Sequence, residues 1–223
     1  MNQASCAPPL ALPRLAGVLL AAGESRRLGG PSKLEIRLDG EPLLRRTART
    51  LLAAGVAPLV VVVGHAAARS ADLLAGLPVE IVENAAWREQ GQQGSARRGL
   101  AALVPRLAAA GAEGFLVSLV DLPLLRVANV RALAVALAER GAARVRVPWH
   151  DGRRGNPVVF EASLCAELAA DPGGPRGWLD AHPGAVSRLP VDDPAFVTDL
   201  DTMADVAALR AMPGAPRVEL PGP

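Results

Sequence analysis

Short apolar runs that end in turn residues alternate along this chain with stretches of helical period, and that alternation restricts the possible folds most. The runs lie at 16–20, 59–63, 79–82 and 115–119, with further ones at 144–147, 157–160 and 185–189. Between them, apolar residues recur at helical spacing over 42–54, 66–74, 95–110, 127–140, 163–170 and 202–212. Pro42 suits the first turn of its helix and Gly55 the position just past its end. Strands alternating with helices predict an α/β fold, a three-layer sandwich around a mostly parallel, Rossmann-like sheet. Half of the 223 residues are hydrophobic, yet aromatics make up 3% and tyrosine is absent. The core must therefore be Leu, Val and Ala, which suits buried parallel strands under Ala/Leu-rich helices.

The pattern predicts one domain over 15–212, with loose ends at 1–14 and 213–223 that are rich in Pro and small residues. The apolar stretch 15–22 follows Arg14 and superficially resembles a signal-peptide core. It lacks a basic cluster, is far too short to span a membrane and runs straight into a glycine-rich loop, so it reads as a buried first strand. The net charge of +2, carried by scattered arginines, speaks against a nucleic-acid partner. Cys6 and Cys165 form no metal-ligand spacing, and a reduced, cytoplasmic setting is expected.

In a parallel sheet, ligands gather at the carboxyl ends of the strands. That rule singles out the loops after Leu20, Val63, Val82 and Leu119. The first, 21–33, combines glycines, which let backbone N–H groups approach a phosphate, with the charges of Arg26, Arg27 and Lys33. Lys33 is the only lysine among 24 basic residues. Its compact ammonium differs from guanidinium at crowded phosphate sites. No Gly-Lys-Ser/Thr closes the loop and it has no Gly-x-Gly-x-x-Gly, so it is neither a Walker A loop nor a dinucleotide fingerprint. The alternative is an ordinary strand–helix connection.

The loop 83–95 carries amides, glycines and Trp87 ahead of a helix expected to begin near Ser95. The free N–H groups of that helix could bind an anion or a base edge. Ser95 could equally be a plain N-cap, and Trp87 could simply pin the loop to the core. Asp121 ends an apolar strand, where a carboxylate is costly unless paired, solvated or bound to a cation. Mg²⁺ favours one or two carboxylates together with phosphate oxygens. Asp199 and Asp201 form a second acidic cluster before the last helix, where Asp201 is either a second metal ligand or a helix cap with Asp205 in the first turn.

Taken in order, these segments resemble a known family. Leu20-Ala21-Ala22-Gly23-x-Ser25-x-Arg27-Leu28-Gly29, followed by Lys33, resembles the signature of the nucleotidyltransferases that act on molybdopterin and on sugar or polyol phosphates. Further matches follow in the family's order: Val60 to Gly64, then Asn84, Trp87, Gly91, Ser95 and Gly99-Leu100, then Asp121-Leu122-Pro123. Arg154-Gly155-Asn156-Pro157-Val158-Val159-Phe160 and Asp199-Leu200-Asp201-Thr202 complete the set. The likeness spans about residues 15–212. Ala22 resembles the Leu-Ala-Ala-Gly of the molybdenum cofactor cytidylyltransferases, where the guanylyl enzymes read Leu-Ala-Gly-Gly. Asn156 stands where the cytidylyl type has His. Leu28 replaces a common Met, one extra residue precedes Lys33, and one residue is inserted between Trp87 and Ser95.

The resemblance implies transfer of CMP from CTP to the phosphate of molybdopterin, with release of pyrophosphate and dependence on Mg²⁺ or Mn²⁺. It implies that Asp121 and Asp201 hold the metal, and that Lys33, Arg27 and Asp121 are catalytic. Leu20, Ala21, Ala22, Gly23, Lys33, Gly94 and Ser95 would bind the nucleotide. Gly155, Asn156, Pro157 and Arg176 would face the acceptor, and a client molybdoenzyme is a further expected partner. Same-fold alternatives are a guanylyltransferase or a sugar- or polyol-phosphate nucleotidyltransferase. A non-catalytic molybdopterin carrier is the alternative from another class.

Overall fold

The computed structural model describes residues 12–29, 32–139, 141 and 143–221. β1 (Leu15–Ala21) is buried along its whole length. A short pair, β2 (Arg37–Leu38) and β3 (Glu41–Pro42), turns through Asp39 and Gly40, both at positive φ, and leads into α1 (Leu43–Ala53). Next come β4 (Leu59–Val63), α2 (Ala67–Leu74), β5 (Glu80–Glu83), α3 (Trp87–Ala110), β6 (Gly114–Leu119) and α4 (Val127–Ala138). The second half holds β7 (Val145–His150), β8 (Arg153–Arg154), β9 (Val158–Glu161), α5 (Cys165–Ala170), α6 (Gly174–Ala181), β10 (Val186–Pro190), α7 (Met203–Ala211) and β11 (Val218–Glu219).

The main sheet runs β10-β7-β9-β6-β1-β4-β5, with β8 paired to β7. β1 lies parallel between β4 and β6, so that Leu20 faces Val62 on one side and Leu119 on the other. β9 is antiparallel to β6 and to β7, so the sheet is mostly but not wholly parallel. The carboxyl ends of β1, β4 and β6 finish side by side, which is where such sheets bind ligands.

Alternation along the strands divides the core in two. Leu15 and Leu19 of β1 pack with Leu44, Ala48 and Leu51 of α1 and Val130 and Leu133 of α4. Val18 and Leu20 pack on the opposite face with Leu100 and Leu103 of α3, Leu168 of α5 and Trp178 of α6. The result is the expected three-layer α/β sandwich. Each fully buried leucine contributes about 1.5–3 kcal/mol relative to exposure. α3 approaches the sheet closely because Gly99 faces it: a Cβ there would lie 2.5 Å from Val18 Cγ1 and 2.6 Å from Val62 Cγ2. This brings the start of α3 over the carboxyl ends of β1 and β4.

A third cluster was not foreseen in the sequence. β11, β2 and β3 form a small antiparallel sheet. Leu28, Ile36, Leu38 and Leu43 pack there with Leu200, Val206, Leu209 and Val218. The segment 213–221 is therefore not a loose end, because Val218 pairs with Leu38 and is buried. The expected N-terminal tail falls outside the described residues up to position 11. Pro42 ends β3 one residue ahead of α1 rather than starting the helix. α3 begins at Trp87, not near Ser95, and bends at Gly91, whose φ of 62° and ψ of −161° are non-helical. α6 was also missed, since its Gly-Gly-Pro start resembles a loop.

Candidate active site

The β1–α1 connection leaves the sheet at Ala21 and carries the site's cations. Ser25 adopts positive φ, and its Oγ accepts the Lys33 backbone N–H at 3.1 Å, which closes the loop. Lys33 opens a single 3-10 turn, Lys33–Glu35, that Leu34 anchors in the core. Leu28 and Leu200 meet in the third cluster, so the glycine-rich loop and the acidic segment before α7 are tied together. Leu200 N–H also donates to Asp121 O at 2.9 Å, joining that segment to the end of β6.

Charged side chains from the three segments converge. Lys33 Nζ donates to Asp121 Oδ2 at 2.7 Å and to Asp201 Oδ1 at 3.0 Å, and Arg27 Nη2 donates to Asp201 Oδ2 at 2.8 Å. The Lys33 and Asp121 side chains are only 14% and 13% exposed. Burial by itself would lower the Lys33 pKa, but the two carboxylates outweigh it and hold the ammonium above its ordinary value. Asp201 is not the helix cap. Thr202 caps α7, with Thr202 Oγ1 accepting from Asp205 N–H at 3.2 Å and Asp205 Oδ2 accepting from Thr202 N–H at 2.7 Å. The Asp201 carboxylate is thereby left to face Lys33 and Arg27.

Asp199, the alternative to Asp201 as second metal ligand in the acidic cluster of the sequence, also lines this site. Burial, followed by the charges of Asp121 and Asp201, pushes its carboxyl up to about 6. Asp121 Oδ1 is buried and has no hydrogen-bond partner. A carboxylate oxygen in that state, next to a second carboxylate on the same cation position, is a donor set that fits Mg²⁺ or Mn²⁺.

Two adjoining clefts open here. The larger, about 550 Å³, holds Leu20, Ala21, Ala22, Gly23, Arg27, Lys33, Ser95, Asp121, Asp199 and Asp201 along its walls. Trp87, Arg88 and Gln92 also line it. Trp87 contacts Gly64 and Arg88 lies 5.0 Å over the Trp87 ring, so the first turn of α3 packs on the end of β4. The smaller cleft, about 390 Å³, shares Leu20, Gln92, Leu119 and Asn156 and adds Arg154, Arg176 and Asp180 over an apolar floor that includes Phe160 and Leu179.

Other expected site residues lie differently. Gly94 lines neither cleft and faces the Gln90 side chain one turn earlier. Gly155 packs against Phe196, its N–H bonded to Pro148 O at 2.8 Å, and like Pro157 it flanks Asn156 without lining a cleft. Ser95 is not an N-cap but sits within α3, its Oγ bonded to Gly91 O at 3.1 Å. The Arg26 side chain lies outside the described part of the structure. Asp180 was missed, and Arg154 was matched in its segment without a site role, because the two meet, at 3.0 Å, only through the unforeseen α6.

The model of the MobA-like NTP transferase domain matches residues 17–186. The chain belongs to that family. This nucleotidyltransferase is 34% identical over 202 residues to the molybdenum cofactor guanylyltransferase of Cereibacter sphaeroides, covering 89% of this chain and 97% of that protein. It is 32% identical over 206 residues to the nicotine blue oxidoreductase of Paenarthrobacter nicotinovorans, again covering 89% and 97%. Among solved structures it resembles Rv0371C from Mycobacterium tuberculosis H37Rv in complex with manganese, with a TM-score of 0.65, 28% identity and coverage of 88% and 97%. No described helix is long and apolar enough to cross a membrane.

Proposed function

We propose that this transferase moves CMP from CTP onto the phosphate of molybdopterin and releases pyrophosphate. The observation that carries the reading is Lys33 Nζ, held at 2.7 Å and 3.0 Å between the carboxylates of Asp121 and Asp201 at the mouth of the glycine-rich loop. Asp121, through its unpartnered Oδ1, and Asp201 would hold Mg²⁺ or Mn²⁺. A bound metal ion would supply positive charge against the triphosphate oxygens.

The chain's own groups do the positioning. Lys33 transfers its hydrogen bonds from the carboxylates to the phosphates, and Arg27, at the exposed rim, neutralises the charge that develops there. Leu20 to Gly23 and Ser95 form the nucleotide wall, with Gly94 supporting the turn behind it. Asn156 and Arg176 orient the acceptor in the adjoining cleft, and Gly155 and Pro157 set the position of Asn156. An oxygen of the acceptor phosphate attacks the α-phosphorus; the new P–O bond forms as the bond to the bridging oxygen breaks, and its electron pair leaves with pyrophosphate. Alignment and charge neutralisation carry most of such a reaction. The product would pass to a client molybdoenzyme in a reduced, cytoplasmic setting.

CTP is favoured because Ala22 places a methyl group in the cleft wall where the guanylyl signature has glycine. The Cereibacter sphaeroides relative favours GTP as the second reading. The Paenarthrobacter nicotinovorans relative, named an oxidoreductase, raises hydride transfer. The loop lacks the dinucleotide spacing such a reaction normally uses. Incubating the protein with molybdopterin, Mg²⁺ and CTP, GTP, ATP or UTP, and weighing the product, separates the first two. CMP-molybdopterin formed by the wild type and not by Asp121→Ala supports the proposal. GMP-molybdopterin alone moves it to the second reading. Tight molybdopterin binding without any nucleotidylated product, or full turnover by Asp121→Ala, refutes it.

A further inference from the structure

We propose that Asp180 reads the head group of the acceptor: its carboxylate accepts the two neighbouring N–H donors on the 2-amino edge of a pterin ring lying in the smaller cleft. The inference rests on the proposed reading of that cleft as the acceptor site, and goes beyond it by naming the ring edge recognised and the residue that decides it.

The two clefts share Leu20, Gln92, Leu119 and Asn156. An acceptor phosphate must reach the larger cleft to meet the triphosphate, so it belongs at this shared rim and the rest of the acceptor extends into the smaller cleft. The floor there includes Val117, Val158, Phe160 and Leu179, all buried. An apolar floor suits the face of a planar ring, with orientation left to a few polar groups. Hydroxyls of a sugar or polyol pressed against it would lose water without gaining partners. Among the described residues that line this cleft, Asp180 alone has a side chain that accepts hydrogen bonds without donating any. A ring edge with two adjacent donors needs two adjacent acceptors, and only this carboxylate supplies them.

The fold holds Asp180 in place. Trp178, 2% exposed, seats α6 in the core, and its Nε1 donates to Glu167 Oε1 at 2.6 Å. Gln93 Oε1 accepts the Arg176 N–H at 3.1 Å and ties the start of α6 to α3. Arg154 Nη2 donates to Asp180 Oδ1 at 3.0 Å. A carboxylate offers about four lone-pair sites, so Oδ2 and part of Oδ1 stay open to a ligand. The Arg154 and Asp180 side chains are 36% and 59% exposed. An ion pair with that much solvent around it adds little to stability. The fold gains little from the pair, whereas a carboxylate fixed at the wall of the cleft has a use in recognition. A pterin presents its 2-amino group and N3–H side by side, in line with the two carboxylate oxygens. In lumazine an oxo group replaces the amino group, and its oxygen would face the carboxylate.

The test titrates 6-hydroxymethylpterin and 6-hydroxymethyllumazine against the protein by ring fluorescence at neutral pH, without nucleotide. Wild type, Asp180→Asn and Asp180→Ala are compared, with melting temperatures as a control on folding. The wild type should bind the pterin more tightly by more than about tenfold. Asp180→Asn keeps the size of the side chain and an oxygen for Arg154, but pairs one acceptor with one donor. That pattern fits the N3–H and 2-oxo group of lumazine, so the preference should reverse. Asp180→Ala should bring the two rings within about threefold of each other. Equal losses of both rings in Asp180→Asn would mean a merely structural role and overturn the inference, as would a wild type without preference or without binding. Guanosine carries the same amino edge and is added as a competitor; a protein that binds guanosine and not the pterin has a base pocket here, which also overturns it. Should Asp180→Asn fail to fold, a pterin preference retained by Asp180→Ala refutes the inference by itself. Ring binding is read without turnover, so a protein that nucleotidylates molybdopterin but does not distinguish the rings overturns this inference alone, whereas failure of the transfer reaction overturns the proposed function.

Discussion

Replacing Lys33 with methionine keeps most of the side-chain bulk and removes a cation that touches both Asp121 and Asp201. Breaking a fully buried pair by removing one partner costs about 3–5 kcal/mol, because the other charge is stranded. The side chains here are 14%, 13% and 25% exposed. Solvent therefore screens part of the loss, and roughly 2–3 kcal/mol is expected. For a domain of this size, that corresponds to a fall of roughly 4–12 °C in melting temperature. The pH dependence fixes the cause. Lys33 has a folded-state pKa raised above its ordinary 10.5, so its contribution is fully present below 10.5 and disappears as pH rises through the folded value. Circular dichroism melts in the absence of metal should show the full gap between wild type and Lys33→Met at pH 7.5, narrowing above pH 10.5. Mn²⁺ should raise the melting temperature of the variant more than that of the wild type, since a cation can take the position the ammonium vacates. A gap within about 2 °C at pH 7.5, or one that persists unchanged once the amine is neutral, would refute the reasoning.

Asp199→Asn should stabilise the metal-free protein at neutral pH. The Asp199 pKa rises from 3.8 to about 6 through burial and the charges of Asp121 and Asp201, so its favourable contribution is present below 3.8 and lost as pH rises through about 6. The variant's advantage in melting temperature should open between those values and stay constant above them; its side chain is 43% exposed, so screening keeps the gain small. Gly64→Ala would place a Cβ 2.8 Å from both Ala22 O and Trp87 Cγ. We expect about 1–3 kcal/mol of destabilisation from overpacking, together with a raised KM for nucleotide because both neighbours line the cleft; unchanged KM and melting temperature would contradict the geometry. Burial pushes the Cys165 thiol up to about 12. Peptide mass mapping should therefore find Cys165 unalkylated by iodoacetamide at pH 8 in the native protein and alkylated in denaturant.

The main sheet was legible because its strands are short, apolar and bounded by turn residues, and because a buried parallel strand such as 59–63 has few other readings. The small sheet was not. β2, β3 and β11 have two residues each, and Val218 of β11 pairs with Leu38, far earlier in the chain, a distance over which local pattern carries no information. The start of α3 was misread for a related reason. Gln90-Gly91-Gln92-Gln93-Gly94 looks like loop chemistry, yet only Gly91 leaves helical geometry, and Asn84, from another element, supplies the contact that holds Ser95.

The same contrast runs through the site. Asp121 and Lys33 stood out locally, one as a carboxylate ending an apolar strand and the other as a solitary lysine. Lys33 also meets Asp201, 168 positions further along, at 3.0 Å, and that contact depends on the third cluster, in which Leu28 and Leu200 both pack. That packing also gives the choice of lysine a physical basis. A single Nζ donates in two directions, to Asp121 and to Asp201, from one point. A guanidinium would distribute its donors across a planar fork suited to one carboxylate, and Arg27 makes that kind of contact at the exposed rim. At this site the chain sets arginine at the exposed rim and lysine where two carboxylates share one cation at close range.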